Sequence, residues 1–366
     1  MKKSPCFIAL LILLTSSTLG QTEYDEAEND SFYDHLADIT LSKISDFPTN
    51  TQLSIAIVRN GGTDHYGVLK SHDSIQYIEN QNAVFEIGSL TKVFTATVLA
   101  SLVVDRQINL TEPINPYYPF HLHNNVQLTF ESLANHTSGL PRLPGNLVLS
   151  DINNPYKDYG KSQLDDYLKN IVEIENEDTK TYAYSNTGSG LLGYTLGVSQ
   201  GSDVQLLMDD RIFDKYHMTR SYTNVQNIND DQVFVKGQDG NGEPTANWDF
   251  NILFAAGGVL STSADLAKFA KAQFDTKNVE LALTRKPTFK VNDNMEIGLG
   301  WHVLKSKNAK ELIWHNGGTG GYSSSMIVNT TDETAVIILS NVSAFHPQGA
   351  NIDQLCFELM VELDKN

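Results

Sequence analysis

The chain has 366 residues, 40% of them hydrophobic and 19% charged, a balance typical of a water-soluble folded protein with one large domain or two lobes. Its formal net charge of −18 disfavours nucleic acid and anionic membrane surfaces as partners, because both repel an acidic protein. The acidity does not otherwise point to a function.

The first twenty residues have the pattern of a cleaved secretory signal peptide. Lys2 and Lys3 precede an apolar run over residues 7–14, and small or polar residues follow as far as Gly20, after which we expect cleavage. A membrane anchor is the alternative, but the apolar run is too short to span a bilayer. The pattern therefore predicts a secreted or periplasmic protein with no membrane anchor after cleavage.

Residues 21–32 are polar and acid-rich, which predicts a disordered leader before a folded domain over residues 33–366. Of the two cysteines, Cys6 would leave with the signal peptide. Cys356 would then have no intramolecular partner, so we expect a fold that does not depend on disulfides.

The folded part begins with an apolar pattern over residues 33–44 that predicts a helix. Residues 52–58 are apolar or small at nearly every position, as in a strand buried on both faces. The Asn-Gly-Gly sequence at residues 60–62 predicts a hairpin turn into a second strand through Tyr66 and Val68.

The C-terminal part is also predicted to form strands, over residues 322–328 and 335–339, joined by a polar turn. A helix with one apolar stripe should follow and pack on the sheet. The stripe consists of Ile352, Leu355, Cys356, Leu359, Met360 and Leu363.

If the strands from both ends share one antiparallel sheet, the middle of the chain must form a separate part. We therefore predict an α/β (α+β) fold in which residues 33–105 and 285–366 form one lobe and residues 106–284 a mainly helical inserted lobe. Clefts between lobes are common sites of ligand binding.

Ser89 and Lys92 lie at the start of the most distinctive apolar segment. Twelve uncharged residues follow Lys92, which predicts a helix buried on all sides. Ser89 lies three residues before Lys92, on the same helical face, and a serine beside a desolvated lysine is an activated nucleophile. The alternative is that Ser89 only caps the helix and the Lys92 side chain reaches water.

A second group of polar residues contains Tyr184, Ser185 and Asn186, followed by small residues that begin a helix. This arrangement places several hydrogen-bonding side chains at one helix N-terminus. Taken alone, it is also consistent with a simple capped helix start.

A third group begins at His315 and includes Gly317 and Gly318. Four of the five residues 317–321 are glycine, which lets a substrate approach the backbone and leaves N–H groups free to meet a developing oxyanion. A flexible glycine hairpin would explain the glycines but would not explain a role for His315.

In this order, Ser-x-x-Lys, Tyr-Ser-Asn and His-x-Gly make the chain resemble the serine β-lactamase and penicillin-binding protein superfamily, specifically its class C β-lactamase branch. The resemblance covers most of residues 33–364 and implies a β-lactamase/transpeptidase-like fold. Further segments carry it, at residues 135–141, 212–219, 255–262 and 298–301.

The resemblance implies a role for each matching residue. Ser89 would be the acylated nucleophile and Lys92 its proton acceptor. Tyr184 would shuttle protons, and Asn186 would hold the substrate's amide side chain. The glycines after His315 would line the substrate site; the oxyanion hole would come from the backbone N–H groups of Ser89 and Gly318.

His315 takes the position of the lysine in the family's Lys-Thr-Gly motif. A protonated His315 would supply the missing cation, would lower the pKa of Tyr184 together with Lys92, and would make activity fall as pH rises past about 6.5. His-x-Gly is common among D-alanyl peptidases, D-amino-acid peptidases and esterases of the superfamily.

The expected function is therefore a serine hydrolase that cleaves a β-lactam or a D-amino-acid amide. An esterase for short acyl esters and a slowly deacylating sensor of β-lactams or cell-wall peptides are the alternatives. The expected partner is a small-molecule or peptide substrate. No cofactor or metal is implied, since His121 and His123 lack acidic or cysteine companions.

Overall fold

A nine-stranded antiparallel sheet organises the protein. The computed structural model describes residues 34–72, 74–174, 180–228, 234–305 and 311–365. The predicted signal peptide and leader lie outside these residues. The strand order in the large sheet is β3-β2-β1-β11-β10-β9-β8-β7-β6, and β4 and β5 form a separate pair. The strands are β1 Gln52–Arg59, β2 Gly62–Ser71, β3 Ser74–Ile78, β4 Phe85–Glu86, β5 Leu260–Ser261, β6 Phe289–Lys290, β7 Met295–Ile297, β8 His302–Lys305, β9 Glu311–Gly318, β10 Ser323–Asn329 and β11 Thr334–Ser340.

Helices cover both faces of this sheet and fill the region between β4 and β6. They are α1 over residues 34–44, α2 Thr91–Val104, α3 Phe130–Ala134, α4 Lys161–Asn170, α5 Asn186–Gln200, α6 Val204–Met208, α7 Ser263–Ala272, α8 Val279–Arg285 and α9 Asn351–Leu363. The predicted fold class, an antiparallel sheet flanked by helices, is confirmed. The division into two lobes at the stated residues stays a prediction.

The central strand β1 is buried on both faces, as its apolar sequence predicts. Leu53 and Ile55 point into the core beneath α9 and α1, whereas Ala56 and Val58 point into the larger core that contains α2 and α7. Because successive side chains of a strand alternate between faces, only a strand covered on both sides needs apolar residues throughout.

The two ends of the chain meet in the middle of the sheet. Strands β1 and β11 are antiparallel neighbours, with Leu53 opposite Ser340. The backbone N–H of Gln52 donates to Asn341 Oδ1 over 2.7 Å, although these residues are 289 positions apart. The prediction that N- and C-terminal strands share one sheet is confirmed.

The turn between β1 and β2 shows how local sequence sets register. Asn60 and Gly61 have φ values of +50° and +73°, the left-handed conformation that a tight two-residue hairpin requires at both positions. The strands then pair in register from Arg59 opposite Gly62 to Gln52 opposite Leu69.

Helix α2 is buried on nearly its whole circumference, as predicted. Every residue from Thr91 to Ala100 is buried, including Lys92. The helix packs against α5, α8 and the turn at Asn251–Ala256. Its only charged residue, Lys92, lies in its first turn.

Helix α9 packs on β10 and β11, and its apolar stripe faces the sheet. Cys356 is a free thiol buried in this contact, and Cys6 lies outside the described residues. Among the described residues, no helix is both long and apolar enough to cross a membrane.

The Leu355→Ala variant tests the contact between α9 and the sheet. Leu355 is fully buried, so we expect the free energy of unfolding to fall by about 2–5 kcal/mol, because the truncation removes apolar contacts and leaves a cavity. Urea unfolding followed by circular dichroism measures this loss. Val361→Ala on the same helix, at a side chain that is 53% exposed, is the control and should change stability much less. Equal losses in the two variants would contradict the assignment of Leu355 to the core.

Candidate active site

A tight turn positions Ser89 between α2 and the end of β9. The turn is a short 3-10 helix, Gly88–Leu90, that leads directly into α2. Gly88 has φ +51°, and a methyl group on its Cα would lie 2.5 Å from the backbone N of Gly318. Only glycine fits this position, since it accepts the left-handed conformation and the close approach of another backbone. Ser89 itself is half-buried and remains accessible.

The Lys92 amine lies directly behind Ser89. Its Nζ is 3.0 Å from Ser89 Oγ, 2.8 Å from Asn186 Oδ1 and 2.7 Å from the backbone O of Ala256. Lys92 is only 3% exposed, and none of its neighbours in these contacts carries a negative charge. The amine is therefore held by neutral oxygens in a site closed to water.

Burial lowers the pKa of Lys92 well below its usual value, and the positive charge of Arg142 lowers it further. Both effects disfavour the ammonium form. A neutral amine can donate its two hydrogens to Asn186 and Ala256 and direct its lone pair at Ser89 Oγ. The contacts thus place a base next to the predicted nucleophile.

The start of α5 supplies the opposite wall of the site. Ser185 caps this helix by accepting the N–H of Gly188 over 2.8 Å, and its hydroxyl donates to the backbone O of Pro141 over 2.7 Å. The next residue, Asn186, donates through Nδ2 to Tyr156 Oη over 3.1 Å while its Oδ1 accepts from Lys92. The amide of Asn186 therefore has a fixed orientation.

The ring of Tyr184 lies near two cationic side chains. Its centroid is 4.8 Å from Lys92 Nζ and 5.1 Å from the guanidinium carbon of Arg142. Even so, burial raises the pKa of Tyr184, and the opposing effects of Ser89 and Arg142 do not offset it. The expectation of a lowered pKa is wrong, because desolvation of the phenolate outweighs the nearby charge. Tyr184 is a neutral phenol at neutral pH.

His315 is fully buried behind the ring of Tyr184, with ring centroids 6.2 Å apart. Its Nδ1 lies 2.6 Å from the backbone O of Asn316, an acceptor, so Nδ1 carries a hydrogen. Burial lowers the pKa of His315 well below 6.5, and the nearby His302 and Lys92 lower it further. The neutral imidazole is therefore favoured near neutral pH, which contradicts the expectation of a protonated His315.

Gly317 and Gly318 place the end of β9 against the Ser89 turn. A methyl group at Gly317 would lie 1.9 Å from the backbone O of Ile87 and 2.9 Å from the backbone N of Ser89. Gly318 N is the atom that a side chain on Gly88 would strike. The backbone around Gly317 and Gly318 therefore packs directly against the turn that carries Ser89.

These residues open into one cleft with a volume of about 880 Å³. The structure thus brings together Ser89, Tyr184, Asn186, Gly317 and Gly318, with Lys92 and His315 buried immediately behind them. The cleft is also lined by residues that the sequence motifs do not identify. They include Arg142, Tyr156, Trp248, Phe250 and His302.

Arg142 and His302 carry a sequence signal among these additional residues, because they directly follow the segments 135–141 and 298–301 that resemble the family. Tyr156 and Phe250 stack with ring centroids 4.8 Å apart, and nothing in the local sequence predicts that contact. In the part of the chain that the structure describes, no group of three or more His, Cys, Asp or Glu side chains could hold a metal ion.

Comparisons with known proteins identify the family to which the chain belongs. A family model described as Beta-lactamase matches residues 44–356. A β-lactamase of Pseudomonas fluorescens is 25% identical over 260 residues, covering 69% of this chain and 69% of that protein. A β-lactamase of Lysobacter lactamgenus is 26% identical over 235 residues, covering 64% of this chain and 58% of that protein, so the match spans less than two thirds of that relative.

The fold is also similar to that of solved structures. The β-lactamase/D-alanine carboxypeptidase of Pseudomonas syringae superposes with a TM-score of 0.74 at 22% identity, covering 91% of this chain and 98% of that one. Since the family model covers most of the chain, the protein belongs to the beta-lactamase family of serine hydrolases. The resemblance seen in the sequence motifs is confirmed.

The Gly317→Ala variant tests the contact between β9 and the Ser89 turn. The added methyl group would collide with Ile87 O and push the backbone of β9 away from Ser89, so we expect hydrolysis of an activated ester to slow by about 10²- to 10³-fold, as when an oxyanion donor is lost. Steady-state kinetics give the ratio. Gly62→Ala, where a methyl group would meet nothing closer than 3.5 Å, is the control and should keep near-normal activity. An unimpaired Gly317→Ala enzyme would contradict the predicted hole.

Proposed function

We propose that this protein is a secreted or periplasmic serine hydrolase that cleaves a β-lactam or a D-amino-acid amide through an acyl-enzyme on Ser89. The observation that carries the proposal is the 3.0 Å contact between Lys92 Nζ and Ser89 Oγ in a site that lowers the pKa of the amine. Membership of the beta-lactamase family supports it. The location rests on the signal-peptide pattern over residues 1–20.

The residues around Ser89 suit an acyl transfer in two stages. Ser89 Oγ bonds to the carbonyl carbon of the substrate as its proton passes to Lys92, and the oxyanion accepts hydrogen bonds from the backbone N–H groups of Ser89 and Gly318. The C–N bond then breaks as the leaving nitrogen takes the phenol proton of Tyr184, which recovers a proton from Lys92. Attack of water on the ester, with the proton transfers reversed, frees the acid and restores Ser89.

Ester hydrolysis is the second candidate within the same mechanism. His315 is neutral, so it does not supply the cation that the family's lysine would offer to a substrate carboxylate. The cleft mouth is also apolar, because Leu149, Ile152 and Phe345 are 58%, 81% and 72% exposed and line it. Both features are compatible with neutral substrates that carry alkyl or aryl groups. A sensor that deacylates slowly is the third candidate.

Intact-mass spectrometry tests the acyl-enzyme. We expect the wild-type protein to gain the mass of one acyl group after exposure to a fluorescent penicillin or to an activated ester, and the Ser89→Ala variant to gain none. Circular dichroism is the control that checks whether both proteins are folded. No adduct from either reagent on folded wild-type protein would overturn the proposed function.

Turnover then separates the three candidates. Hydrolysis of a chromogenic cephalosporin or a D-Ala-D-Ala peptide in preference to 4-nitrophenyl acetate supports the first candidate, and the reverse preference supports the esterase. A stable adduct with negligible turnover of all three compounds supports the sensor.

The pH dependence of activity tests the protonation states of Lys92 and His315. Because the pKa of His315 is lowered, its charge does not change near pH 6.5, and we expect kcat/KM for an uncharged ester not to fall as pH rises from about 6 to about 8. Protonation of Lys92 removes the base, so the loss of activity due to this group comes as pH falls through its lowered pKa. A His315→Gln variant, which cannot titrate there, should keep the wild-type profile shape. A fall near pH 6.5 in the wild type that disappears in His315→Gln would refute the neutral imidazole.

A further inference from the structure

The cleft in front of Ser89 has one positively charged side chain among the described residues that line it. This residue is Arg142, and the single acidic lining residue is Asp239. Lys92 does not line the cleft, since its amine is buried behind Ser89. A negatively charged group of a substrate that enters this cleft would therefore meet Arg142 as its cationic partner.

The backbone fixes Arg142 beside the start of α5. Its carbonyl O accepts the N–H groups of Asn186 and Thr187 over 3.0 Å and 3.2 Å. The preceding carbonyl, that of Pro141, accepts the hydroxyl of Ser185. Arg142 is thus attached to the same turn that holds Tyr184 and Asn186, so its position relative to the reacting atoms does not depend on a mobile loop.

The side chain of Arg142 is exposed and lies over Tyr184. The guanidinium carbon is 5.1 Å from the ring centroid, a distance typical of a cation stacked on an aromatic face. None of the ion pairs among the described residues includes Arg142. A guanidinium stacked in this way keeps its N–H edge free, and that edge matches the two oxygens of a carboxylate.

We propose that Arg142 binds a carboxylate of the substrate and makes the enzyme favour anionic over neutral substrates of the same reaction. The inference rests on the proposed function. β-Lactams and peptides ending in a D-amino acid both carry such a carboxylate, so Arg142 would take over the task that the neutral His315 cannot perform. A carboxylate-binding Arg142 favours the cleavage of a β-lactam or a D-amino-acid amide over the hydrolysis of uncharged esters.

Arg142 also acts on the groups that move protons. Its charge lowers the pKa of Lys92 and opposes the rise in the pKa of Tyr184. Removing it would therefore alter the chemistry with every substrate to some extent. A test must compare an anionic substrate with a neutral substrate that has the same reactive bond.

Two pairs of esters provide that comparison. In the first pair the charge is on the leaving group: the phenyl and the 3-carboxyphenyl ester of N-phenylacetylglycine. In the second it is on the acyl group: 4-nitrophenyl acetate and 4-nitrophenyl hemisuccinate. For Arg142→Gln we expect kcat/KM for the anionic member of at least one pair to fall about 10- to 100-fold, and that for its neutral partner to fall less than about 3-fold.

The size of the effect in the two pairs tells which side of the substrate Arg142 binds. Arg142→Lys should restore part of the preference, because it keeps the charge but not the bidentate edge. Arg220→Gln, which changes an exposed arginine outside the cleft, is the matched control and should leave both ratios unchanged.

Equal losses for anionic and neutral members in both pairs, or no loss at all, would overturn the role of Arg142. In either case a wild-type enzyme that hydrolyses the esters would leave the proposed function intact. If the wild-type protein hydrolyses none of them and forms no acyl adduct, the proposed function fails and the inference fails with it.

Discussion

The burial of one amine constrains the whole site. Lys92 lies in the first turn of a helix that is apolar on every side, so its Nζ depends on three oxygens from Ser89, Asn186 and Ala256 for hydrogen bonds. These oxygens come from the turn before α2, from the start of α5 and from the loop before β5. Movement of any of the three segments would leave a polar group without a partner in a closed space. The energetic need to satisfy Lys92 therefore also holds together the segments that form the cleft.

The same lack of solvent determines the charge state of the neighbouring groups. Burial lowers the pKa values of Lys92 and His315 and raises that of Tyr184, so all three are favoured in their neutral forms. Arg142, at the exposed side of the cleft, is then the cation that faces an incoming substrate.

The sequence was sufficient for features that depend on local pattern. The apolar run of β1, the Asn-Gly turn after it, and the buried α2 all follow from periodicity and residue type. The family motifs identified Ser89, Lys92, Tyr184 and His315 as neighbours although up to 226 residues separate them along the chain. Protonation states could not be predicted, because they depend on the depth of burial that tertiary packing creates. Arg142 was missed as a functional residue because only the fold shows that its side chain lies over Tyr184.

The pairing of β1 with β11 has a consequence for how the protein is made. A ribosome releases Gln52 long before Asn341, its hydrogen-bond partner 289 positions later, so the centre of the sheet cannot close until β11 has been synthesised. Until then the edge of β1 that pairs with β11 stays unpaired, although β2 can already pair with the other edge, and an unpaired apolar edge is a risk for aggregation. Fragments that end before β11 should therefore leave the centre of the sheet open.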